Sequence, residues 1–384
     1  MIDKKLLLLT TVTALTIMLA SMTVRSQSTA VFATDLKAPT KIILTPGGNL
    51  LVAEAGSGPN TGRISLIDRS GHRRTLLDGL PSGRGEPESL GPSGLALRGR
   101  TLFITIGEGD AIQFGEGGAL LPNPNGPSSP ILSSVLAVRF SQDIDRVMSG
   151  YPLTLADHFR LANGFDLTLD NDDGDRATVE LLADFRDYVP DPNTIVRESD
   201  PFGLVLDAKG DDTLYVVDAG MNSVVKVNIH TGRAQTLLSF APLPNPLPFG
   251  PPLMDAVPDS IHFFGDQLLV TLLTGFPFPS GAAEVRQVDI ATRRDESFIT
   301  GLTTAIDVLS VRTPAGDDRF FVLEFSTDFL NEAPGRLLRF DSPTATPVVI
   351  ADLITPTSMT RDPVTGDLFV TEIFTGRIIQ VQTP

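Results

Sequence analysis

Carboxylates recur beside short apolar runs in this 384-residue sequence. Three aspartates come just before such runs: Asp200, Asp259 and Asp307. Four further acids close runs such as LLVAE and LYVVD, and these are Glu54, Asp218, Glu324 and Glu372. Carboxylate oxygens are the hard ligands that Ca²⁺ prefers, in sets of about six to eight. Acids brought together by the fold could therefore hold a divalent cation or a polar ligand.

The apolar runs belong to an internal repeat. A Gly or Asp turn followed by four or five apolar residues occurs six times, with its second strand residue at positions 50, 102, 214, 268, 320 and 368. One short apolar strand precedes each copy and up to two follow it, so the unit has strands a, b, c and d. Repeats of about 40 to 50 residues made only of short strands are typical of β-propeller blades.

The last repeat lacks a d strand, because the chain stops shortly after its c strand. VFATDL, residues 31–36, has the d-strand pattern and follows no a, b or c strand. We therefore predict an all-β, six-bladed propeller whose N-terminal strand completes the last blade by pairing with Ile378–Gln382. One gap of 112 positions, between residues 102 and 214, leaves seven blades as the alternative. We assign to this gap an insertion at about 141–176, with a helix capped by Thr154.

Residues 1–30 have the pattern of a signal peptide. Two lysines precede an apolar run over 6–19, which is short for a membrane span of about 20 residues. A small-residue site ends at Ala30, and an uncleaved N-terminal anchor is the alternative. We expect residues 31–384 to form a single domain that is secreted or periplasmic, with no membrane insertion after cleavage.

Composition excludes several classes of function. The chain carries 30 Lys and Arg against 46 Asp and Glu, a net charge of −16, which argues against nucleic acid as a partner. It contains no Cys, so disulfides, thiolate catalysis and Cys-ligated zinc are excluded. No G-x-S-x-G or HExxH motif occurs. The remaining partners are a small molecule, a glycan or another protein, and we expect a monomer.

Chain direction places the acids on one face. In a propeller blade the d–a and b–c loops lie on the same side, so the acids beside both should gather there. Asp200, Asp259 and Asp307 would lie nearest the channel mouth and are the candidate ligands of a cation such as Ca²⁺. The wider set of ligand-binding candidates adds Glu54, Asp218 and Glu372. The alternative is structural: these acids initiate turns, hold turn amides, or pair with an Arg across the b–c turn.

Other segments give weaker signals. Residues 169–180 match part of an EF-hand loop, but Leu169 occupies the first ligand position, and a hairpin turn at Asp173-Gly174 explains the same residues. His262 falls within an a strand and could face the channel or pack against a neighbouring blade. The loops 240–252 and 274–281 concentrate Pro and Phe and could contact a partner.

One repeat, LYVVDAGMNSVVKVN at 214–228, resembles the NHL repeat. More closely, 45–64, 180–193 and 198–227 resemble the ScyD/ScyE family of exported propellers, within the six-bladed TolB-like and SMP-30-type superfamily. The resemblance covers about 31–384 and departs from the family in the insertion and in the GMNS turn. It implies an exported protein with an accessory role and supplies no reaction.

Two functions follow from the sequence. The first is a non-catalytic exported propeller that binds a small molecule, glycan or partner protein. The second is a divalent-metal-dependent lactonase or other hydrolase of the gluconolactonase type, with Asp200, Asp259 and Asp307 supplying oxygens. The Asn ligands of that type have no evident counterparts here, so the sequence favours the first function.

Overall fold

The computed structural model describes residues 28–84, 89–114, 120–185, 189–190, 196–207 and 210–383. These residues form six antiparallel blades of four principal strands each, so the six-bladed prediction is confirmed and the seven-bladed alternative is wrong. The predicted signal peptide falls almost wholly outside the described residues. Among the described residues, no helix is long and apolar enough to cross a membrane.

Strands a to d follow one another outward in every blade. Blade 1 comprises Pro39–Leu44, Leu50–Glu54, Gly62–Ile67 and Arg73–Leu80. Blade 2 comprises Pro92–Arg98, Thr101–Ile106, Ser134–Phe140 and Arg176–Asp184. Blade 3 comprises Pro201–Leu206, Thr213–Asp218, Ser223–Asn228 and Ala234–Ser239. Blade 4 comprises Pro258–Phe264, Gln267–Leu272, Ala283–Asp289 and Arg294–Leu302. Blade 5 comprises Ala305–Arg312, Asp318–Glu324, Gly335–Phe340 and Val348–Leu353. Blade 6 comprises Pro356–Arg361, Leu368–Glu372, Arg377–Val381 and, from the N-terminus, Thr29–Ala33.

Smaller elements decorate the loops. Four short hairpins pair Gly83–Arg84 with Ser89–Leu90, Ile112–Phe114 with Leu120–Pro122, Val189–Pro190 with Val196–Arg197, and Leu243–Pro244 with Leu253–Met254. Within the described ranges the helices are the α-helix Leu155–Ala162 and the 3₁₀ turns Ile144–Arg146 and Phe329–Asn331.

The blades pack around a central channel. Each a strand contacts the a strands of both neighbouring blades, which closes a ring. A separate apolar core fills each of the six blade interfaces. Each sheet therefore buries both faces, which explains why the strands read as near-continuous apolar runs and not as alternating patterns.

The N-terminal strand closes the ring, as predicted. Thr29–Ala33 pairs antiparallel with strand c of blade 6, with Ala33 opposite Ile378. Phe32 packs on Phe369 with ring centroids 4.8 Å apart, and Leu36 is buried. The strand begins two residues before the mature start expected from the sequence, but Thr29 and Ala30 are exposed, and the buried residues all follow it.

The insertion covers the outer edges of blades 1 and 2. Tyr151–Pro152 pairs parallel with strand d of blade 1, and Leu167–Asp170 pairs with strand d of blade 2. Between them the predicted helix forms, and Thr154 and Asp157 make the reciprocal bonds of a capping box. Covering these edges removes unpaired backbone groups that could recruit other chains.

The segment at 169–180 forms the hairpin that was the alternative to an EF-hand loop. Leu167–Asp170 and Arg176–Asp184 are its two strands, and the side chain of Asn171 accepts the backbone N–H groups of Asp173 and Asp175. The oxygen of Asn171 therefore organises the turn itself.

Candidate functional site

The a strands share one local geometry at their entrance. Five of the six begin with proline, and all six carry a register shift after their first residue. Pairing resumes at the third residue in blades 1, 2, 5 and 6 and at the fourth residue in blades 3 and 4. Such a bulge leaves the second residue out of the ladder and re-aims its side chain. The second residues thereby turn towards the channel mouth.

The second residues line a central cavity of about 220 Å³. Five of the six contribute to its wall: Thr40, Phe202, Asp259, Ile306 and Thr357. Leu90, in the loop that enters blade 2, supplies the remaining blade, so every blade reaches this cavity. A groove of about 480 Å³ on the other side of Asp218 is larger, but it is lined by blades 2 and 3 and their connecting loops alone.

The third residues close the channel beneath the cavity. Lys41 of blade 1 forms an ion pair with Asp307 of blade 5, with 3.7 Å between Nζ and Oδ2. At Gly94 and Gly203 the blades approach so closely that a Cβ atom would lie 2.3 Å and 2.4 Å from the carbonyl oxygens of Phe202 and Asp259. The mouth is therefore a closed depression with a floor.

Asp307 belongs to this floor and does not line the cavity. Its Oδ1 accepts from Nε2 of His262 at 2.8 Å, and its Oδ2 accepts from Ser358 Oγ and the Met359 backbone N–H at 3.1 and 2.8 Å. Despite burial, the charges of Lys41 and His262 and these hydrogen bonds hold the pKa of Asp307 well below its usual range. It is an ionised carboxylate whose two oxygens are both engaged by the protein.

The three aspartates expected at the mouth therefore lie at three different levels. Asp200 precedes its a strand, Asp259 is a second residue, and Asp307 is a third residue. The sequence placed all three just before their strands; for Asp259 and Asp307 that placement is wrong, because these strands begin at Pro258 and Ala305, two and three residues earlier than expected. Asp200 and Asp259 share the cavity wall, and Asp307 does not.

The acids that end b strands fasten the loop that enters the same blade. Glu54 accepts the backbone N–H of Lys37 at 2.5 Å, Glu324 that of Thr303 at 2.8 Å, and Glu372 that of Ile354 at 2.7 Å. Arginine lies opposite each of them on strand c: Arg63, Arg336 and Arg377. Ion pairs form at Glu54 with Arg63 and at Glu324 with Arg336. These three acids serve the scaffold.

Blade 3 departs from this arrangement. Asp218 occupies the same position and accepts the backbone N–H of Asp200 at 2.9 Å, but the residue opposite it is Ser223 and not arginine. The carboxylate of Asp200 in turn accepts the backbone N–H of Glu108 at 3.0 Å. A chain of acid-to-amide bonds thus runs from strand b of blade 3 to the b–c loop of blade 2.

Three carboxyl groups in this chain are poorly compensated. Burial, followed by the charges of Asp200, Glu198 and Asp218, raises the pKa of Glu108 well above its usual range. Burial raises the pKa of Asp200 to about 6, although the hydrogen bond from Glu108 lowers it, and the charge of Asp218 adds to the rise. Burial also raises the pKa of Asp218, against its bonds from backbone groups and Ser199. The charges that act on Glu108 are all negative.

Aromatic side chains from the b–c loops of blades 4 and 5 line a further part of the cavity. Phe278, Phe325 and Phe329 line the cavity, with centroid separations of 4.4 Å for Phe278–Phe329 and 5.7 Å for Phe325–Phe329. Three more rings extend the contacts outward: Phe249, Phe276 and Phe374. These outer rings are about half exposed, at 48%, 50% and 54%. We call the six rings the phenylalanine ladder.

A bound metal ion or an activated nucleophile would need a specific grouping of side chains among the described residues. They contain no group of three or more His, Asp or Glu side chains placed to hold a metal ion. One Ser–His contact, between Ser70 Oγ and Nδ1 of His72 at 2.8 Å, lies at an exposed outer turn. A second joins Ser129 Oγ to Nδ1 of His158 at 3.0 Å. Both side chains are buried, and Nε2 of His158 donates to the carbonyl of Gly79 at 2.9 Å, so this contact fastens the insertion to blade 1.

Sequence reasoning missed several members of the site. Glu108 follows the b strand of blade 2 in the sequence GEGD. An acid between two glycines indicates a loop, and the chain direction predicts that this loop faces the mouth. Phe202 could have been found by aligning the strand-initiating prolines of the repeats, whereas Ile306 follows Ala305 and lacks that mark. Phe325 and Phe329 gave no such signal, because their proximity depends on how the loops of blades 4 and 5 fold.

Comparisons with known proteins support the fold. No family model and no curated protein matches the chain. A glucose dehydrogenase structure is similar over 93% of this chain and 100% of its own, with a TM-score of 0.50 and 12% identity. An auxiliary nutrient binding protein from Bacteroides ovatus aligns over 92% of this chain and 76% of its own, at 8% identity and a TM-score of 0.49. Virginiamycin B lyase from Staphylococcus aureus aligns over 94% and 99%, at 11% identity and a TM-score of 0.45.

The chain is a β-propeller, and its structural relatives perform unrelated tasks. At such low identities the likeness extends to the fold alone, since one fold hosts many functions. The ScyD/ScyE resemblance therefore stays a prediction. Function has to be argued from the site.

Proposed function

We propose that this protein is an exported propeller that binds a small organic molecule in the cavity at the mouth of its central channel, without converting it. The observation that carries the proposal is the cavity itself, which residues from all six blades line and the Lys41–Asp307 pair closes from below. A concave, mostly apolar pocket with a few convergent polar groups is the usual form of a small-molecule site.

The electrostatics of the mouth support a functional site. Glu108, Asp200 and Asp218 are held together although burial raises the pKa of all three and negative neighbours raise those of Glu108 and Asp200 further. Such an arrangement lowers the stability of the fold, and groups of this kind concentrate at functional sites. In the other blades with an acid at the Asp218 position, arginine lies opposite it.

The arrangement favours binding over metal-dependent hydrolysis. Of the three aspartates considered as cation ligands, Asp307 has both oxygens engaged by Lys41, His262 and its other donors. The largely aliphatic and aromatic wall also favours a small molecule over a glycan, since sugars need many hydrogen-bonding partners. Binding of a small molecule therefore requires no rearrangement of Asp307 or of the cavity wall.

A screen with a cavity-filling variant tests the proposal. Ala219 lines the cavity and is buried, so Ala219→Phe should fill the space. A library of small organic molecules is screened against the full chain by ligand-observed NMR, and the hits are repeated with Ala219→Phe and with Ala291→Phe, a control at an exposed outer turn. We expect hits that Ala219→Phe abolishes and Ala291→Phe retains. An absence of hits, or hits indifferent to filling in a variant of unchanged melting temperature, would overturn it.

A further inference from the structure

We infer that the groove beside Asp218 is a second binding site, which takes a guanidinium group on an alkyl chain, such as an arginine side chain. The inference goes beyond the proposed function, because the groove and the cavity at the channel mouth are lined by different residues. It follows from the repeat, since in two other blades the protein itself binds a guanidinium group at this position.

The repeat shows what a carboxylate at the end of strand b binds. In blade 1, Nη2 of Arg63 on strand c lies 3.0 Å from Oε2 of Glu54, and in blade 5 Arg336 pairs with Glu324 in the same way. The hydrogen bond to the entering loop does not prevent this pairing, because Glu54 also accepts the backbone N–H of Lys37. The position therefore accommodates a loop amide and a guanidinium group together.

Blade 3 keeps the carboxylate and lacks the cation. Asp218 accepts the backbone N–H groups of Asp200 and Met221 at 2.9 and 3.0 Å, so its bonds to the loops are in place. Its partner across the strand pair is Ser223, so the side chain that corresponds to Arg63 ends at a hydroxyl group. Burial raises the pKa of Asp218, and no positive charge of the described residues opposes that rise.

A groove occupies the place of the missing side chain. Asp218 and Ser223 both line this groove of about 480 Å³, which lies within the range of about 300–1,000 Å³ found for ligand sites. Asp184 adds a second carboxylate to the wall, and burial raises its pKa as well. Among the described residues of the wall there is no Lys, Arg or His. A cation from outside the chain would supply the charge that arginine supplies in blades 1 and 5.

Burial and shape favour a guanidinium group over other cations. Asp218 is only 2% exposed, so a cation must give up water to reach it. Guanidinium is more weakly hydrated than ammonium, and its planar donors match a carboxylate. The wall continues to Ala234 and Gln235, which are exposed, so an attached alkyl chain can lead out to solvent.

Three small probes separate charge from shape. The full chain is titrated at pH 7.5 with n-propylguanidinium, its neutral analogue n-propylurea, and n-butylammonium, using ligand-observed NMR. We expect the guanidinium to bind at least about tenfold tighter than the urea and about threefold tighter than the ammonium, because a charge-assisted bond to a buried carboxylate is strong. The peptide acetyl-Gly-Arg-Gly-amide distinguishes the sources: binding tighter than that of n-propylguanidinium assigns the site to arginine in a polypeptide, and weaker binding assigns it to a free guanidinium compound.

Restoring the missing arginine tests the inference from within the chain. Ser223→Arg gives strand c of blade 3 the side chain that blades 1 and 5 carry, so it should pair with Asp218 and abolish guanidinium binding. We expect its melting temperature to exceed that of Ser223→Gln, which fills the groove without a charge, by about 2 °C. Ser342→Arg adds the same charge at an exposed outer turn and should leave guanidinium binding unchanged.

Removing the carboxylates completes the test. Asp218→Asn should weaken n-propylguanidinium binding at least about tenfold and Asp184→Asn about threefold, whereas Asp266→Asn, at an exposed a–b turn, should not change it. The two variants keep the test informative if one of them folds poorly. An absence of guanidinium binding, equal binding of the urea, or binding indifferent to Asp218→Asn and Ser223→Arg would overturn the inference. The channel-mouth proposal is decided separately, by the library screen and Ala219→Phe.

Discussion

One residue of the repeat distinguishes blade 3 from its relatives. Glu54 and Glu324 each have an arginine across the strand pair, and their carboxylates form ion pairs with it. Asp218 keeps the bond to the entering loop but faces Ser223, so its charge is left to act on Asp200 and Glu108. The arginine across the strand pair therefore distinguishes the paired carboxylates of blades 1 and 5 from Asp218.

Asp200→Asn should stabilise the protein at high pH. The folded-state pKa of about 6 lies above the ordinary value of 3.8, so the folded state holds this proton more tightly. The stability is therefore fully present below about pH 4 and is lost as Asp200 ionises while pH rises through about 6. The charge of Asp218 opposes the ionisation of Asp200, whereas the hydrogen bond from the Glu108 backbone N–H favours it.

Asparagine keeps the acceptor for the Glu108 N–H and removes the charge. We expect the melting temperature to rise by about 2 °C at pH 8, which is about 1 kcal/mol in a large domain, and to stay unchanged at pH 4. Calorimetry at the two pH values measures this change in melting temperature. The control is Asp266→Asn, which removes the same charge at an exposed a–b turn of blade 4. Equal effects at both pH values would mean that Asp200 is not protonated in the folded state.

The depth of each side chain below the channel mouth could be predicted from the sequence only in part. The sequence identified Asp200, Asp259 and Asp307 as mouth residues because each was expected just before an a strand, and Asp200 and Asp259 do line the cavity. It could not separate Asp259 from Asp307, because the bulge at each strand entrance shifts side-chain direction by one residue without a distinct sequence mark. The partners of Asp307 come from three other blades, at separations that local patterns do not reach.

At the scale of elements, the predictions that depend on local signals were the accurate ones. The capped helix, the N-terminal strand and the repeated strands all formed, because caps, turns and apolar runs act over a few residues. The phenylalanine ladder could not be foreseen, since it depends on loops without periodicity. Proline and Phe in 274–281 marked the region but not its contacts.

The N-terminal strand should hold the ring closed. Deleting residues 31–36 removes Phe32 from Phe369 and takes Leu36 out of the interface between blades 6 and 1. We expect a loss of at least about 3 kcal/mol of unfolding free energy, comparable to truncating one large buried side chain. Denaturant unfolding measures it, and Val31→Ala, at a position 52% exposed, should change little. An unchanged midpoint in the deletion would refute closure by this strand.

The insertion should loosen in acid through His158. Burial lowers the pKa of His158, and its ring bonds Ser129 and Gly79 as a neutral group. A depressed histidine pKa means that the unfolded segment takes up protons more readily, so stability present above about pH 6.5 is lost as pH falls. We expect hydrogen exchange in Leu155–Ala162, corrected for its intrinsic rate, to accelerate at pH 5.

A non-titrating side chain isolates this effect. His158→Gln should lose the pH dependence of exchange even if its overall protection is lower, whereas His72→Gln, at an exposed turn, should behave like the wild type. Protection that is equal at pH 5 and pH 7.5 in the wild type would show that His158 does not control the insertion. The expected change is roughly tenfold for each unit of pKa depression.

At the scale of the whole molecule, the channel floor joins blades that are distant in sequence. Hydroxyl groups near the mouth bond across blade boundaries, as Thr40 Oγ1 does to the carbonyl of Pro92 at 2.7 Å and Thr357 Oγ1 to that of Pro39 at 2.9 Å. Asp307 extends this pattern, because Lys41, His262 and Ser358 reach it from three other blades. One carboxylate thus connects four of the six blades.

Breaking this junction should therefore destabilise the entire ring. Asp307→Asn leaves Lys41 buried without its counter-charge, and we expect a loss of about 3–5 kcal/mol in denaturant unfolding. Replacing both partners, as in Lys41→Met with Asp307→Leu, should cost less than the sum of the single changes, because no buried charge is left unpaired. The depressed pKa of Asp307 also predicts that the free energy of unfolding depends on pH. The stabilisation by Asp307 is present above about pH 4 and is lost as the pH falls further, and Asp307→Asn should lack that component. Additive single and double variants would mean that the floor is a set of independent contacts and that the ring is held together by its apolar interfaces alone.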